Sequence, residues 1–455
     1  MLALCCHWNF GFLVIFQGGS ILHALKVTTD IVLDEAELIY SKVAWRIVPL
    51  VFLCYIFAYL DRVNVGFARL QMLTDLKFSE TAYGVGAGIF FVGYFIFEVP
   101  SNLVLQKVGA RLWIARIMIT WGIISAAMML VRTPVHFYIL RFLLGAAEAG
   151  FYPGVVLYFT YWFPSRRRGR IMALFFTGNP ISGIIGGPVS GSILQFFGGF
   201  LRLAGWQWLF LLEALPTIIL GFLIYFILDD HVADAKWLTP QEKAYLDTQT
   251  AAEAKGKTHH SLSSVFGSGR VWLLCLIMFG TIMGSYAYGF WLPAIIKQAH
   301  VTQPLHIGLL TMIPYVCAVG FLLLSGWHGD KTRERRWHVA GPQCMAAVGF
   351  ILCGAFRDNA YLAIFGLTLC VCGVITASAL FWSLPTSFLG GTAAAAGIAF
   401  INATGSLGGF FSPIIIGWLK DYTNSLSSGL YLVAGCLLLS AVLNLTFIPA
   451  KLVNR

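Results

Sequence analysis

The sequence predicts an all-α integral membrane protein with about twelve transmembrane helices in two six-helix bundles. Its composition is the first reason: of 455 residues, 58% are hydrophobic and only 11% are charged. Apolar runs of about 20 residues, each long enough to cross roughly 30 Å of hydrocarbon, are the second reason. A soluble globular protein does not have this composition. The sequence also lacks the alternating pattern of a transmembrane β-barrel.

The apolar runs place the spans in order along the chain. They cover residues 43–66, 82–106, 112–131, 135–163, 171–198, 206–228, 271–297, 305–328, 338–356, 360–384, 390–418 and 428–449. A polar central loop separates the two halves, so the predicted domains are an N-terminal extension and leader, a first bundle, the loop, a second bundle and a tail. Their residues are 1–42, 43–228, 229–270, 271–449 and 450–455. In the loop, Thr239 and Pro240 of LTPQEK predict the start of a helix.

Basic residues are concentrated in alternate connections between the spans. They are Lys107, Arg111, Arg166, Arg167, Arg168, Arg170, Lys331, Arg333, Arg335 and Arg336. By the positive-inside rule, these connections, the central loop and both termini lie on the cytoplasmic side of the inner (plasma) membrane. The net charge of +10 then reflects topology and contact with lipid headgroups, so we expect a lipid bilayer but no nucleic acid as partner.

The motifs of an enzyme or an ATP-driven pump are missing from the sequence. It contains no G-x-S-x-G elbow and no G-x-x-x-x-G-K-[ST] phosphate loop. The cysteines lack C-x-x-C spacing, and the histidines lie in or near loops rather than in a metal-ligand cluster. We therefore expect neither catalysis nor a bound metal or other cofactor.

Residues 1–26 are apolar but lack the charged start and cleavage site of a signal peptide.

The loops after the second and the eighth span resemble each other. They read NLVLQKVGARL from Asn102 and GWHGDKTRERR from Gly326, and Lys107 and Arg111 align with Lys331 and Arg335. Repeated halves of six spans are typical of secondary transporters, whose substrate site lies between the halves near the bilayer midplane. We expect both loops to form a cytoplasmic gate. Its residues are Lys107, Arg111, Gly326, Asp330, Lys331, Arg333 and Arg335.

With this repeat the chain resembles the major facilitator superfamily over essentially its whole length. The second loop follows that family's G-x-x-x-D-[RK]-x-[GR]-x-[RK] pattern from Gly326. The first loop departs from it, with Asn102 in place of glycine and Gln106 in place of aspartate. In the family this loop latches helix ends on the cytoplasmic side, so the missing acid puts the latch of the first half in doubt.

Ionisable residues inside the predicted spans need a partner or a function, because a charge at the bilayer centre costs roughly 3 kcal/mol. The carboxylates are Asp61, Glu98, Glu148 and Glu213, and the arginines include Arg62, Arg116 and Arg141. In the second half the carboxylates fall in loops or at span edges, so any proton-binding carboxylate that drives transport lies in the first half. Glu98, Glu213 and Arg116 lie near span ends in this interpretation and are assigned to structure.

The stretch RFLLGAAEAGFYPG places Arg141 and Glu148 about two turns apart on one face of the fourth span. On the same span Gly145, Gly150 and Gly154 permit close helix contact or bending, and Pro153 supplies a break. We expect Asp61 to share their cavity, where a carboxylate can cycle between protonated and charged forms. Arg62 points about 100° away from its neighbour Asp61 on a helix. Separate roles follow, in which Asp61 takes a proton and Arg62 or Arg141 faces an anion. Static ion pairs with the arginines remain the alternative.

Four stretches resemble the anion:cation symporter branch of the superfamily, and the tartrate, phthalate and hydroxyphenylacetate permeases of bacteria in particular. They are YLDRVNVGFA, RFLLGAAEAGFYPG, YWFPSRRRGR and FWSLPTSFLGGTAAAAGIAFINATGSLGGFFSP. The resemblance implies that Asp61 and Glu148 carry protons and that Arg62 and Arg141 attract an organic anion. It further implies a substrate site lined by Tyr59, Asn179, Trp382, Ser383 and Asn402.

Together these features predict a proton-driven importer of a small organic anion, such as tartrate or a related hydroxy or aromatic carboxylate. We expect the chain to act as a monomer, with the proton as its coupling ion. A sugar-acid symporter for galactonate or glucarate fits the same residues. A drug exporter and a sensor descended from a transporter are further alternatives, which differ in whether an anion accumulates with the proton gradient.

Overall fold

A computed structural model of the protein describes residues 21–254, 267–387 and 391–454. Residues 1–20 of the predicted N-terminal extension therefore lie outside the described residues, as do parts of the central loop and of the stretch after Trp382. The chain divides into two compact units, Met1–Ile47 and Val48–Arg455. The first unit is helical where it is described, and the second contains every other element below.

The described residues form α-helices and short 3-10 turns, without a strand. The first half contains α1 (Ile21–Val63), α2 (Val65–Leu76), α3 (Glu80–Val108), α4 (Ala110–Ala127), α5 (Pro134–Glu148), α6 (Phe151–Trp162), α7 (Ser165–Phe176), α8 (Gly178–Phe196) and α9 (Gly205–Ile227). The central segment contains α10 (Pro240–Ala254). The second half contains α11 (Gly269–Gln298), α12 (Pro304–Thr332), α13 (Arg336–Ala355), α14 (Ala360–Phe381), α15 (Gly391–Thr423), α16 (Leu426–Phe447) and α17 (Ala450–Val453).

These helices build the predicted twelve spans in two bundles of six. Among the described residues, 11 helical segments are long and apolar enough to cross a membrane. The remaining span consists of α7 and α8, which meet at Thr177, and the many glycines and serines of α8 account for its lower hydropathy. In the central loop, α10 begins where LTPQEK predicts it: Thr239 Oγ1 accepts a hydrogen bond from the Glu242 N–H at 3.3 Å.

The fourth span is broken at Gly150, one of the glycines expected to permit bending, and not at Pro153. Helix α5 ends at Glu148 and α6 begins at Phe151, because Gly150 adopts a left-handed conformation with φ of 88°. The prediction of a break at Pro153 is wrong, since this proline lies in the first turn of α6, where a missing N–H costs no helical hydrogen bond. The break places the Glu148 side chain at the end of a helix.

Two glycines hold α3 and α5 in backbone contact, as predicted for Gly145. A Cβ atom added to Gly145 would lie 1.9 Å from the Phe90 carbonyl oxygen, and one added to Gly93 would lie 2.3 Å from that of Phe142. Neither backbone oxygen can move without separating the two helices. This contact fixes the helix that carries Arg141 and Glu148 against α3.

Gly145→Ala is expected to destabilise the protein by roughly 1–3 kcal/mol, because the methyl group overpacks the contact between α3 and α5. The measurement is the melting temperature of the purified protein in detergent. Gly341→Ala in α13 is the matched control, since a Cβ atom at Gly341 meets nothing within 4 Å. Equal melting temperatures for the two variants would contradict the expectation.

The two bundles contact each other along α3 with α15 and along α8 with α12. A Cβ atom at Gly84 would lie 2.3 Å from the Pro413 carbonyl oxygen, and one at Gly191 would lie 2.5 Å from that of Pro304. Both approaches lie where α3 and α12 begin and where α8 and α15 end. We call this side of the second unit the closed end, and the predicted orientation makes it the outer side.

Charged side chains connect the bundles across the closed end. Lys420 Nζ of α15 donates to Glu80 Oε1 of α3 at 2.6 Å, and Glu80 also accepts hydrogen bonds from Arg69. Asp421 Oδ2 accepts from the Thr81 N–H at 2.7 Å, so a carboxylate of the second bundle caps the N-terminus of α3. Nothing in the sequence distinguishes these residues from ordinary charges at a span edge.

The predicted gate loops lie at the opposite ends of these helices. In the first loop Lys107 is exposed, and the Arg111 N–H donates to Asp230 Oδ1 at 2.8 Å. Asp230 follows α9, so an acid distant in sequence caps α4 where the loop has Gln106 instead of aspartate.

In the second loop the Arg335 N–H donates to Asn454 Oδ1 at 2.9 Å. The other members behave as surface residues: Gly326 is half-buried, Asp330, Lys331 and Arg333 are exposed, and Lys331 lies over the Trp327 ring.

Candidate functional site

A buried ion pair joins α1 and α5 and faces the second bundle. Arg62 Nη2 donates to Glu148 Oε1, and their side chains are 18% and 1% exposed. Arg62 Nη1 also donates to the Tyr286 hydroxyl of α11 at 3.3 Å. The second carboxyl oxygen of Glu148 is buried and has no hydrogen-bond partner among the described residues. The pair therefore stands at the contact between the bundles with one acceptor oxygen unused.

Aromatic rings surround the Arg62 guanidinium. Its Cζ atom lies 5.3 Å from the centroid of Phe90, 5.4 Å from that of Tyr94 and 6.0 Å from that of Tyr59. Such ring faces attract a cation and hold the guanidinium plane in place. The sequence predicted Tyr59 here but missed Tyr94 and Tyr286, because an aromatic residue in an apolar span looks the same whether it packs in a core or faces a site.

Asp61 lies inside the first bundle, and its carboxyl group is hydrogen-bonded to side chains of α4 and α9. Its side chain is 1% exposed. Oδ2 accepts from Trp121 Nε1 at 2.7 Å and from Thr217 Oγ1 at 2.8 Å, and Oδ1 accepts from Ser125 Oγ at 3.4 Å. Asp61 therefore turns toward α4 and α9 while Arg62 turns toward α5 and α11, so the two acids expected in one cavity have different hydrogen-bond partners, although the Glu148 charge still acts on Asp61. The three donors are an indole and two hydroxyl groups, all neutral, which argues against a static ion pair between Asp61 and an arginine.

Arg141 is 0% exposed and attached to the backbone of α3. Its Nε donates to the Gly86 carbonyl oxygen and its Nη2 to that of Ala87, both at 3.2 Å. The predicted role of facing an anion is not supported by this geometry, since two of the three guanidinium nitrogens bind carbonyl groups inside the bundle. Nη1 has no hydrogen-bond partner among the described residues. Arg62, in contrast to Arg141, reaches the second bundle through Tyr286.

Two other predicted site residues lie close to this contact. The Tyr59 hydroxyl interacts with the Asn179 amide of α8 and with Tyr288 of α11. Asn179 Oδ1 is buried and lacks a hydrogen-bond partner in the described structure. Tyr59 and Asn179 therefore offer polar atoms to the same contact region as Arg62.

Trp382 and Ser383 lie elsewhere. Trp382 packs against the apolar cluster that contains Val271 and Leu274 at the start of α11, which is away from the closed end. Ser383 Oγ donates to the Leu380 carbonyl oxygen at 2.7 Å. Both residues follow the last turn of α14, which ends at Phe381. In this conformation they therefore do not lie beside Arg62, where the resemblance had placed them in one substrate site. Asn402 lies half-buried within α15, where its carbonyl oxygen accepts from Ser406 Oγ at 2.9 Å.

The position assigned to Glu213 from the sequence is also wrong. Glu213 lies in the third turn of α9, not near a span end, and its side chain is 3% exposed. Its Oε1 accepts from Ser190 Oγ of α8 at 2.6 Å. In the part of the chain that the structure describes, its neighbours are Ser190, Asn64 and Asp61, and the basic neighbour expected for it is not among them. Arg116, by contrast, stacks on the Trp113 ring at 3.9 Å as a structural residue.

The chain is similar to membrane transport proteins along nearly all of its length. A family model described as Major Facilitator Superfamily matches residues 51–413. A Pseudomonas putida protein named "Putative metabolite transport protein NicT" is 49% identical over 96% of this chain and 100% of its own. An Agrobacterium vitis protein named "Putative tartrate transporter" is 50% identical over 90% of this chain and 95% of its own. The crystal structure of a D-xylose-proton symporter superimposes with a TM-score of 0.70 at 20% identity, covering 90% of this chain and 98% of that one.

Proposed function

Since the chain belongs to the major facilitator superfamily, we propose that it takes up a small organic anion together with protons. It is a multi-pass membrane transporter and not an enzyme. The observation that carries the proposal is the Arg62–Glu148 pair, which is buried where the two bundles meet. Tartrate or a related hydroxy or aromatic carboxylate is the proposed substrate class, and the relative named as a tartrate transporter supports it.

The pair couples the two ligands through competition for one cation. A substrate carboxylate binds the Arg62 guanidinium best in a bidentate manner, but Glu148 already occupies part of it. A proton on Glu148 neutralises this competitor and releases Arg62 to the anion. For a monocarboxylate, the net charge of the Arg62–Glu148 site is then the same with Glu148 ionised as with proton and anion both bound, so neither state leaves an unpaired charge in the membrane. The second carboxylate of a dianion such as tartrate needs a further proton for the same balance.

Polar groups around Arg62 suit the body of a hydroxylated anion. Tyr286 and Tyr288 reach the region from α11, while Tyr59 and Asn179 reach it from the first bundle. Hydroxyl and amide groups can donate to and accept from substrate hydroxyls, and the tyrosine rings can pack against an aromatic carboxylate. Because both bundles contribute, binding at this place can be linked to the rocking of the halves that is typical of such transporters.

The test is uptake by the purified protein in liposomes. Labelled tartrate, phthalate, hydroxyphenylacetate and galactonate are each supplied with and without an inward proton gradient, and protein-free liposomes serve as the control. We expect one anion to accumulate only with the gradient, and galactonate in that role would select the sugar-acid alternative. Uptake that is equal with and without the gradient would contradict proton coupling.

A further inference from the structure

We propose that Glu213 is a further proton-binding residue of the transport cycle, placed inside the first bundle and separate from Glu148. The inference rests on the proposed proton-coupled function and adds a site to it. The basis is the environment of the Glu213 carboxyl group. Among the described residues it pairs with no cation, and one of its two oxygens accepts no hydrogen bond.

The carboxyl group of Glu213 is buried against neutral groups and one acid. Ser190 of α8 donates to Oε1, the amide of Asn64 lies beside the carboxyl group, and the charged neighbour is Asp61 of α1. Oε2 is buried and lacks a partner in the described part of the chain. An ionised carboxylate would bear the full desolvation penalty here and would also face a like charge. A proton on Glu213 removes both costs and supplies Oε2 with a hydrogen.

One face of α9 links this carboxyl group to the predicted proton site. Thr217 follows Glu213 by one helical turn, and its hydroxyl donates to Asp61 Oδ2 at 2.8 Å. Two acids that are distant in sequence therefore lie along the same polar stripe of the bundle. Among the described residues, neither acid pairs with an arginine as Glu148 does with Arg62.

A small cavity at the contact between the bundles is lined by Asn64 and Ser190, the two side chains next to the Glu213 carboxyl group. It measures about 30 Å³ and has Asn64, Ser182 and Ser190 of the first bundle and Thr311 and Tyr315 of α12 in its wall. This volume has room for a water molecule, and the wall supplies polar partners for it. When the bundles separate, water reaches Asn64 and Ser190, so Glu213 can exchange its proton in one state and is sealed in the other.

The experiment compares wild type, Glu213→Gln and Asp75→Asn in liposomes loaded with a pH-sensitive dye. Asp75 is a matched control because this exposed carboxylate of α2 also accepts from a side chain of α9, Trp206 Nε1, at 2.9 Å. The probe is the labelled anion that wild type accumulates in the uptake screen. We expect a lower ratio of protons to anions for Glu213→Gln, with exchange of the anion retained, and an unchanged ratio for Asp75→Asn.

Infrared difference spectroscopy provides a readout that does not depend on transport. The carbonyl stretch of a protonated carboxyl group should be present in wild type at neutral pH and reduced in Glu213→Gln. A wild-type ratio in Glu213→Gln, or an unchanged carbonyl band, overturns the inference. If wild type itself shows no proton-coupled uptake, the proposed function fails, and the infrared comparison alone then decides whether Glu213 binds a proton.

Discussion

Glu148→Gln is expected to exchange its anion across the membrane but to lose the ability to concentrate it. Glutamine has the shape of a protonated glutamate, so the variant keeps Arg62 permanently available to the substrate carboxylate. It cannot release a proton, however, and Arg62 then has no internal counter-ion after the anion leaves. The empty carrier must then return with the Arg62 charge buried and unpaired, which is costly in the membrane.

Two liposome measurements separate these steps. Exchange is measured with the same anion on both sides, and accumulation is measured with an inward proton gradient and an empty interior. The variant should lose accumulation at least tenfold, which corresponds to about 1.4 kcal/mol, while exchange stays near the wild-type rate. Accumulation at the wild-type level would show that Glu148 does not couple the proton.

Arg62→Gln is expected to abolish both exchange and accumulation. Its guanidinium lies at the contact between the bundles, where it binds Glu148 and Tyr286 and would hold the substrate carboxylate. Removal of one partner of a buried pair also leaves the other charge unpaired, which destabilises a protein by about 3–5 kcal/mol. Loss of transport in this variant therefore has two possible causes, binding and folding.

The double variant Arg62→Gln/Glu148→Gln distinguishes them. It removes both charges, so its melting temperature in detergent should return most of the way from that of Arg62→Gln toward that of wild type. Transport should stay absent, because the guanidinium proposed to bind the anion has been removed. Recovery of exchange in the double variant would exclude Arg62 as the residue that binds the substrate carboxylate.

Positions of the spans and the small set of buried charges could be predicted from sequence, whereas the partners of those charges could not. Asp61 and Arg62 are neighbours that point to different helices, and the ~100° step of an α-helix predicts this separation. Which helix each one meets depends on pairs far apart in the chain: 86 residues separate Arg62 from Glu148, and 60 separate Asp61 from Trp121. Arg141 illustrates the limit, because nothing local shows that it binds carbonyl groups of α3.

Glu213 and Asp230 show the same division. A carboxylate in an apolar stretch is visible in the sequence, but its depth in the bundle depends on where α9 begins and what packs over it. Likewise, the first gate loop lacks an acid, and the structure supplies Asp230 from a segment 119 residues away from Arg111.

The sequence by itself determined that this chain crosses the membrane in two repeated halves and that the carboxylates within its spans lie in the first half. Transfer of each span from water to lipid depends on the span's own residues, so composition and length are sufficient. Only the tertiary structure decided that Glu148 pairs with Arg62, that Asp61 and Glu213 share the interior of one bundle, and that Lys420 and Asp421 join the halves at the closed end. Hydrogen bonds and ion pairs require contact within a few ångströms, and helix packing alone brings these distant residues together.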